Sequence, residues 1–180
     1  MKALLKKMLR LLFGDYAPYF IYASPAQLPV SAPSLRVAAV DRDRIAASAD
    51  ALIREQAGYA GEGAHAFACF DGERIVGVCF YWHGARYLTR NFWPLRDGEA
   101  KLVQIITLPE MRGRQVAQTL IAASVRELGA QGWQRAYARI WHSNTPSLRA
   151  FEKAGWRKIA LVLELYPFAR KKPLRLTYRF

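Results

Sequence analysis

The stretch PEMRGRQVAQTLI, residues 109–121, joins a cationic turn to the start of a helix. Arg112 and Arg114 flank Gly113, and an apolar period typical of a helix begins at Val116. The first turn of a helix presents unpaired backbone N–H groups and a partial positive charge. The stretch therefore predicts a site for a phosphate group, and the alternative interpretation is a basic surface turn.

A second polar position follows the next predicted strand. Asn144 comes after residues 133–141 and before a short helix that has Pro146 in its first turn and Gly155 at its end. Parallel strands that separate at their C-terminal ends leave a crevice in which ligands bind. Because Asn144 offers both a donor and an acceptor there, we expect a ligand with amide groups and a pyrophosphate.

The hydrophobic periodicity predicts a mixture of strands and helices that positions these two stretches. The predicted strands are 34–40, the two arms of a hairpin over 65–84 that turns at Asp71-Gly72, 100–108, 133–141, 156–165 and 174–180. The predicted helices are one from the cap Asp41 to residue 56, one over 115–128 and one over 145–154, and residues 86–98 are predicted as a strand end and loop. The fold class is therefore α/β, with a mixed central sheet of about seven strands flanked by helices.

Residues 1–33 are interpreted as an N-terminal extension, and residues 34–180 as one domain. Residues 1–13, MKALLKKMLRLLF, form a basic amphipathic pattern with four cations on one arc. That segment predicts a helix, which serves either as an anchor on an anionic membrane face or as a contact with its own domain or a second subunit. The rest of the extension, rich in proline and aromatic residues, is interpreted as an extended linker without regular structure.

Composition narrows the class of protein. Hydrophobic residues make up 52% of the 180 residues, which is typical of a globular domain, and the formal net charge of +13 favours anionic partners. We do not expect nucleic acid among them, because no basic recognition helix or RNA-binding motif is present. Cys69 and Cys79 are expected to be buried, reduced thiols of a cytoplasmic protein, and the three scattered histidines predict no metal site.

The two stretches, in this order, resemble the GNAT N-acetyltransferase superfamily. The family's acyl-CoA loop, (Arg/Gln)-x-x-Gly-x-(Gly/Ala), aligns with residues 112–117, and its second CoA-contacting motif with Asn144 and Gly155-Trp156. The resemblance implies an N-acetyltransferase with acetyl-CoA as cosubstrate. The residues that it places at CoA are Ile105, Thr107, Arg112, Gly113, Arg114, Gln115, Val116, Ala117, Gln118, Asn144 and Arg149.

The sequence departs from the family pattern at three positions. Gln115 replaces the middle glycine of the loop, and we expect a negative φ there, as at an ordinary helix start. Phe151 stands where the family often has a tyrosine that protonates the leaving thiolate. Arg139 stands where some members have a catalytic glutamate. Our candidates for the missing groups are His142 as base and Tyr166 as acid, with Glu99, Glu110 and Tyr137 as weaker alternatives.

The family builds its acceptor site from loops that correspond here to residues 58–64 and 166–173. With residues 84–99, these loops form a basic and aromatic rim, which suits an anionic acceptor such as an amino sugar or sugar nucleotide. A CoA-binding regulatory or scaffold protein is the alternative that the missing acid and base favour, and acetylation of a protein N-terminus or lysine is a further enzyme alternative. We expect a cytoplasmic protein that contacts the inner membrane face through residues 1–13 or forms a homodimer.

Overall fold

The computed structural model describes residues 16–25, 35–167 and 173–180. The predicted basic helix at 1–13 lies outside the described residues, as do the basic loop positions 170–172. The predicted membrane contact and homodimer therefore stay predictions.

Eight strands and five helices form the described part of the chain. The strands are β1 (Tyr16–Ala23), β2 (Arg36–Ala39), β3 (Ala64–Asp71), β4 (Arg74–Trp82), β5 (Glu99–Thr107), β6 (Arg135–Trp141), β7 (Arg157–Leu165) and β8 (Leu174–Arg179). The helices are α1 (Arg42–Ala46), α2 (Ala51–Arg54), α3 (Gly84–Leu88), α4 (Val116–Ala130) and α5 (Thr145–Lys153). Short 3-10 turns occupy Ala57–Tyr59 and Pro109–Met111.

The strands form one mixed sheet in the order β2-β3-β4-β5-β6-β1-β7-β8. The pair β5–β6 is parallel, and the other neighbours in the described sheet are antiparallel. The predicted mixed sheet flanked by helices is confirmed, with one strand more than the seven expected.

The additional strand is β1, and the prediction of an irregular linker is wrong for residues 16–23. β1 lies inside the sheet, between β6 and β7. Pro18 argued against a central strand, because proline cannot donate to the strand ladder. The carbonyl of Pro18 faces β6, and in a strand the nitrogen of the same residue points the same way. The pairing with β6 begins only at the next residue, Tyr19, so the structure accommodates a proline at this position.

Two local predictions also need correction. The helix predicted up to residue 56 is divided into α1 and α2, because the Ser48 hydroxyl accepts a hydrogen bond from the Asp50 N–H and competes with helical bonding. Residues 84–88 form helix α3 rather than the predicted strand end and loop. The chain leaves β4 at Gly84, which has a φ of 53°, and α3 then buries Tyr87.

The two faces of the sheet carry different layers. On one face, the Tyr81 hydroxyl of β4 is 2.8 Å from the Ser124 hydroxyl of α4. Adjacent strand residues point to opposite faces, and Phe80 packs against Tyr59 on the other side. Cys69 and Cys79 are free and buried, as predicted.

Gly77 brings helix α4 close to the sheet. A Cβ at this position would lie 3.1 Å from both the Ile106 carbonyl oxygen and a methyl carbon of Val116. The absence of a side chain on Gly77 thus allows the first turn of α4 to rest directly on β4 and β5.

Candidate functional site

The site begins where β5 and β6 separate. Their parallel pairing runs from Glu99 and Arg135 to Leu102 and Ala138 and ends there, although both strands continue. The C-terminal part of β5 remains paired with β4 on its other side, so the sheet opens only between β5 and β6. This is the crevice that the order of the predicted elements indicated.

The loop between β5 and α4 contains two residues with a positive φ, separated by Arg114. Gly113 has a φ of 78°, and Gln115 has a φ of 60° with a ψ of 12°. The expected negative φ at Gln115 is therefore wrong. Gln115 adopts the left-handed conformation that glycine takes without strain, at the position where the family motif has a glycine.

This loop leaves a group of backbone donors without acceptors. Within the described residues, the N–H groups of Gly113, Gln115, Val116, Ala117 and Gln118 donate to no protein oxygen. The Gln115 side chain makes no capping hydrogen bond either. Free donors of this kind at the positive end of a 15-residue helix have the charge and the hydrogen-bonding capacity that suit an anion.

A crevice of about 720 Å³ lies over these donors. The residues predicted to bind CoA line it with the exception of Arg114, namely Ile105, Thr107, Arg112, Gly113, Gln115, Val116, Ala117, Gln118, Asn144 and Arg149. The structure thus brings the two predicted stretches together on one surface. Arg114 is exposed beside the crevice but does not line it.

Asn144 connects the crevice to helix α5. Its side-chain oxygen accepts a hydrogen bond of 3.3 Å from the Ser147 N–H, so Asn144 caps α5. The amide NH₂ of Asn144 has no acceptor within the described residues, and it remains available to a ligand.

Sequence reasoning missed several residues that line the crevice, of which Lys153 and Ser147 are polar. Lys153 lies one helical turn after Arg149, and residues four positions apart share one helix face. That spacing was the signal that could have identified Lys153 as a third cation beside Arg112 and Arg149.

A second, smaller cleft of about 260 Å³ adjoins the crevice through the opening between β5 and β6. The two cavities share the lining residues Ile105, Asn144 and Ser147. The cleft is otherwise lined by Arg90, Phe92, Leu102, Val103, Gln104, Ala138, Arg139, Ile140, Trp141 and Phe151. A molecule in this cleft would lie directly beside the end of a molecule in the crevice.

Arg139 is the central cation of the cleft. The Cζ atom of its guanidinium lies 5.1 Å from the ring centre of Trp141 and 5.3 Å from the ring centres of Tyr19 and Phe92. Within the described residues, no oxygen accepts a hydrogen bond from Arg139, and no Asp, Glu or His lines the cleft or the crevice. The cleft is therefore cationic and aromatic.

Phe151, which stands where the family often has a tyrosine, packs in the core. Phe151 is buried, and its ring centre lies 4.9 Å from that of Trp156 at a near-perpendicular angle. It lines the cleft without supplying a hydroxyl. Among the described lining residues of the cleft, Ser147 carries the only hydroxyl group.

The two predicted catalytic residues do not reach either cavity. His142 lies exposed after the end of β6, where its N–H donates to the Pro18 carbonyl. Tyr166 follows β7, and its hydroxyl donates to Glu164 at 3.3 Å. Burial and the nearby Glu164 carboxylate raise the pKa of Tyr166. The assignment of base to His142 and acid to Tyr166 stays a prediction.

The weaker candidates for the catalytic acid and base, Glu99, Glu110 and Tyr137, make their contacts outside the two cavities. Glu110 forms an exposed salt bridge of 2.7 Å with Arg74. Glu99 accepts hydrogen bonds from the Tyr137 hydroxyl and the Arg96 N–H. These three side chains contact protein groups and line neither cavity.

Residues 84–98 form one wall of the cleft, and Arg86 and Lys101 fix their position. Arg86 donates to the carbonyl oxygens of Gly58 and Glu62, so it joins this wall to the predicted acceptor loop 58–64. Lys101 is fully buried, donates to the Trp93 carbonyl and the Tyr87 hydroxyl, and has its ammonium nitrogen 4.2 Å from the ring centre of Phe92. Burial lowers the pKa of Lys101 to about 6, so this lysine is largely neutral at pH 7.

The described residues offer neither a cluster of metal ligands nor a membrane-spanning helix. They contain no group of three or more His, Cys, Asp and Glu side chains positioned to hold a metal ion. In the same residues, no helix has the length and apolar character needed to cross a membrane.

The opened sheet, the uncapped helix end and the adjoining clefts agree with the acetyltransferase fold that the sequence led us to expect. The model of the acetyltransferase (GNAT) family matches residues 32–156, and the chain belongs to that family. The family resemblance is thereby confirmed. A search of curated proteins found no match.

Solved structures share the fold at low sequence identity. A GNAT-family protein from Novosphingobium aromaticivorans is 16% identical with a TM-score of 0.57, and the match covers 85% of this chain and 65% of that one. A GNAT-family acetyltransferase from Colwellia psychrerythraea is 15% identical with a TM-score of 0.61, covering 90% and 61%. The aminoglycoside N-acetyltransferase AAC(6')-Iy in complex with CoA is 19% identical with a TM-score of 0.50, covering 68% and 91%. The chain thus spans less than two thirds of the first two proteins.

Proposed function

We propose that this protein is an acetyl-CoA-dependent N-acetyltransferase that acts on the primary amine of a small, anionic acceptor. The observation that carries the proposal is the set of five free N–H donors at the start of α4, which faces a crevice that opens into a second cleft. Acetyl-CoA fits this arrangement because its pyrophosphate suits the donors and its extended pantetheine arm suits the free edge of β5. The CoA complex of the structurally similar aminoglycoside N-acetyltransferase supports the same choice of cosubstrate.

The cations around the crevice complement this ligand. Arg112 and Arg149 are exposed side chains on two different elements, and both line the crevice together with Lys153. Charged donors form stronger hydrogen bonds to phosphate oxygens than neutral donors do. In this proposal the backbone amides of residues 115–118 hold the pyrophosphate, and the free NH₂ of Asn144 donates to the pantetheine arm.

Transfer takes place at the opening between β5 and β6. The acceptor nitrogen attacks the thioester carbonyl carbon, the C–S bond breaks, and the nitrogen loses one proton while the sulfur gains one. The two cavities place the reactants side by side, and this positioning supplies much of the rate. We propose the Ser147 hydroxyl as the donor of a hydrogen bond to the leaving sulfur. Ser147 lines both cavities, and it carries the only hydroxyl among the described residues that line the cleft.

The cleft favours an acceptor with a negatively charged group and a ring. Arg139 and Arg90 supply two guanidinium groups, and Phe92 and Trp141 supply aromatic surface. Guanidinium groups pair with carboxylate or phosphate, and aromatic faces pack against sugar rings. An amino sugar or a sugar nucleotide combines these features, whereas the same cations disfavour a lysine-rich protein substrate. Nearby positive charge also lowers the pKa of a bound amine and so favours the neutral nucleophile.

A second candidate function is that of a CoA-binding regulatory protein without catalysis. Phe151 in place of a proton donor, and the lack of an acid or His among the described lining residues, favour it. A CoA-release assay separates the two with four amines: an amino sugar, its phosphate ester, an aminoglycoside and a peptide with a free N-terminus. Release with the phosphate ester supports the enzyme, and tight CoA binding without turnover of any amine supports the regulatory protein.

A further inference from the structure

The sheet carries an uncovered apolar surface far from the two cavities. Three cross-strand rows of apolar residues lie on one face of β1, β7 and β8, and together they define the apolar strand face. The rows are Tyr16–Leu165–Leu174, Pro18–Leu163–Leu176 and Phe20–Leu161–Tyr178. Four of these side chains, Tyr16, Leu174, Leu176 and Tyr178, are between 47% and 69% exposed.

The exposed apolar side chains lie on one side of these strands, although all six residues of β8 are exposed. On the opposite side, Arg175 donates to the Asn91 carbonyl, and Arg179 lies 5.3 Å from the ring centre of Trp93. The loop after α3 therefore contacts that side through polar and cationic side chains. On the apolar side, α5 reaches Tyr22 through Phe151, and no described element extends further along β1. Contiguous exposed apolar side chains at the surface often mark a site of contact with a partner.

We propose that residues 3–13 of the same chain, which lie outside the described residues, pack as a helix on the apolar strand face. Their apolar residues Leu4, Leu5, Met8, Leu11 and Leu12 recur at the spacing of one helix face. Lys6, Lys7 and Arg10 fall on the other side of that helix and face the solvent.

The connection and the dimensions fit this occupant. Only Gly14 and Asp15 separate Phe13 from Tyr16, and Tyr16 belongs to the first row of the face. An 11-residue helix is about 17 Å long. The rows extend about 13 Å along β1 and about 10 Å across the three strands. The segment thus starts at the edge of the surface and is long enough to cover it.

Hydrogen exchange of the full-length protein tests this proposal. We expect the amides of residues 3–13 to exchange roughly 100-fold or more slowly than in the free peptide, because packing protects helical hydrogen bonds. Leu176→Glu, in the middle row of the face, is expected to abolish this protection. Thr177→Glu is the matched control, because the next residue of the same exposed strand points to the opposite side. Leu12→Glu is expected to reproduce the effect of Leu176→Glu without altering the sheet.

The same experiment distinguishes the other occupants. Rapid exchange of residues 3–13 in the wild-type monomer would overturn the proposal. So would protection that depends on protein concentration with a dimer in light scattering, since a second copy would then cover the face. Protection that appears only with phosphatidylserine-containing vesicles would overturn it as well, in favour of a lipid surface.

Discussion

The N–H of Thr119 donates a hydrogen bond of 2.9 Å to the carbonyl oxygen of Gln115, so helix α4 begins at a residue in the left-handed conformation. Among the described residues, Gln115 is the only non-glycine residue with a positive φ. The strained cap aims the following amides into the crevice. A backbone conformation that costs free energy at a binding surface is expected to serve the site.

Replacing Gln115 by glycine should therefore stabilise the protein. The left-handed conformation costs a residue with a Cβ roughly 1–2 kcal/mol, and part of this gain is offset by the larger backbone entropy of glycine in the unfolded state. We expect Gln115→Gly to raise the free energy of unfolding by about 0.5–1 kcal/mol and to retain acetyl-CoA affinity. Urea unfolding measures the first quantity and calorimetric titration the second. Gln115→Ala is the control, because alanine retains the strain, and equal stability of the two variants would contradict this account.

Arg112→Glu should weaken acetyl-CoA binding. The variant removes a cation from the crevice lining and places a carboxylate near the phosphates, and a charged hydrogen bond contributes about 1.5–3 kcal/mol. We expect the Kd to rise by at least about tenfold, which corresponds to about 1.4 kcal/mol. Arg126→Glu, an exposed change on α4 away from the crevice, is the control with the same change in net charge. An unchanged Kd for Arg112→Glu would remove this loop from the binding site.

Lys101 should make the stability depend on pH. Its pKa falls from 10.5 in a free side chain to about 6 in the folded protein, because the amine is buried. Between these values the unfolded state binds the additional proton, so the free energy of unfolding rises with pH, by at most about 1.4 kcal/mol per pH unit. Lys101→Met lacks this group. From pH 6.5 to pH 9, we expect the stability of the wild type to increase relative to the variant by at least about 1.5 kcal/mol.

Urea unfolding at three pH values measures this difference. Lys158→Met is the control, because Lys158 lies near the surface in a salt bridge with Glu152. If wild type and Lys101→Met showed the same pH dependence, the lysine would not be held neutral in the folded protein.

Arg139→Gln should change the choice of acceptor. The variant keeps a polar side chain in the cleft but removes the guanidinium that faces Trp141 and Phe92. We expect KM for a phosphorylated amino sugar to rise about tenfold or more, with KM for the uncharged amino sugar and the Kd of acetyl-CoA retained. Arg135→Gln, on the same strand but outside the cleft, is the control. Equal increases for both sugars would show that Arg139 does not recognise the negative group.

The sequence predicts the crevice well because its parts are local. A strand, a turn with Gly113 and a helix start are encoded within about a dozen residues, and Asn144 caps the next helix through a contact with Ser147. The loop after β5 and the loop after β6 lie close together because β5 and β6 pair in parallel. The alternation of strands and helices in the sequence indicated this pairing.

The remaining features depend on contacts between distant parts of the chain. β1 was missed because Pro18 is tolerated only where the pairing with β6 has not yet begun, and this register is a property of the folded sheet. The left-handed Gln115 has no sequence signature, since a side chain of this type normally disfavours that conformation. The second cleft brings together Arg90 and Arg139, which lie 49 residues apart in the sequence.

A crystal structure of the wild-type protein with acetyl-CoA tests the central claim most directly. We predict that the pyrophosphate oxygens lie within hydrogen-bond distance of the amides of residues 115–118, and that the thioester lies in the opening beyond Leu102 and Ala138. The acetyl group should then point into the cleft that contains Arg139. Acetyl-CoA bound elsewhere, or with its thioester directed away from that opening, would contradict the proposed acetyltransferase site.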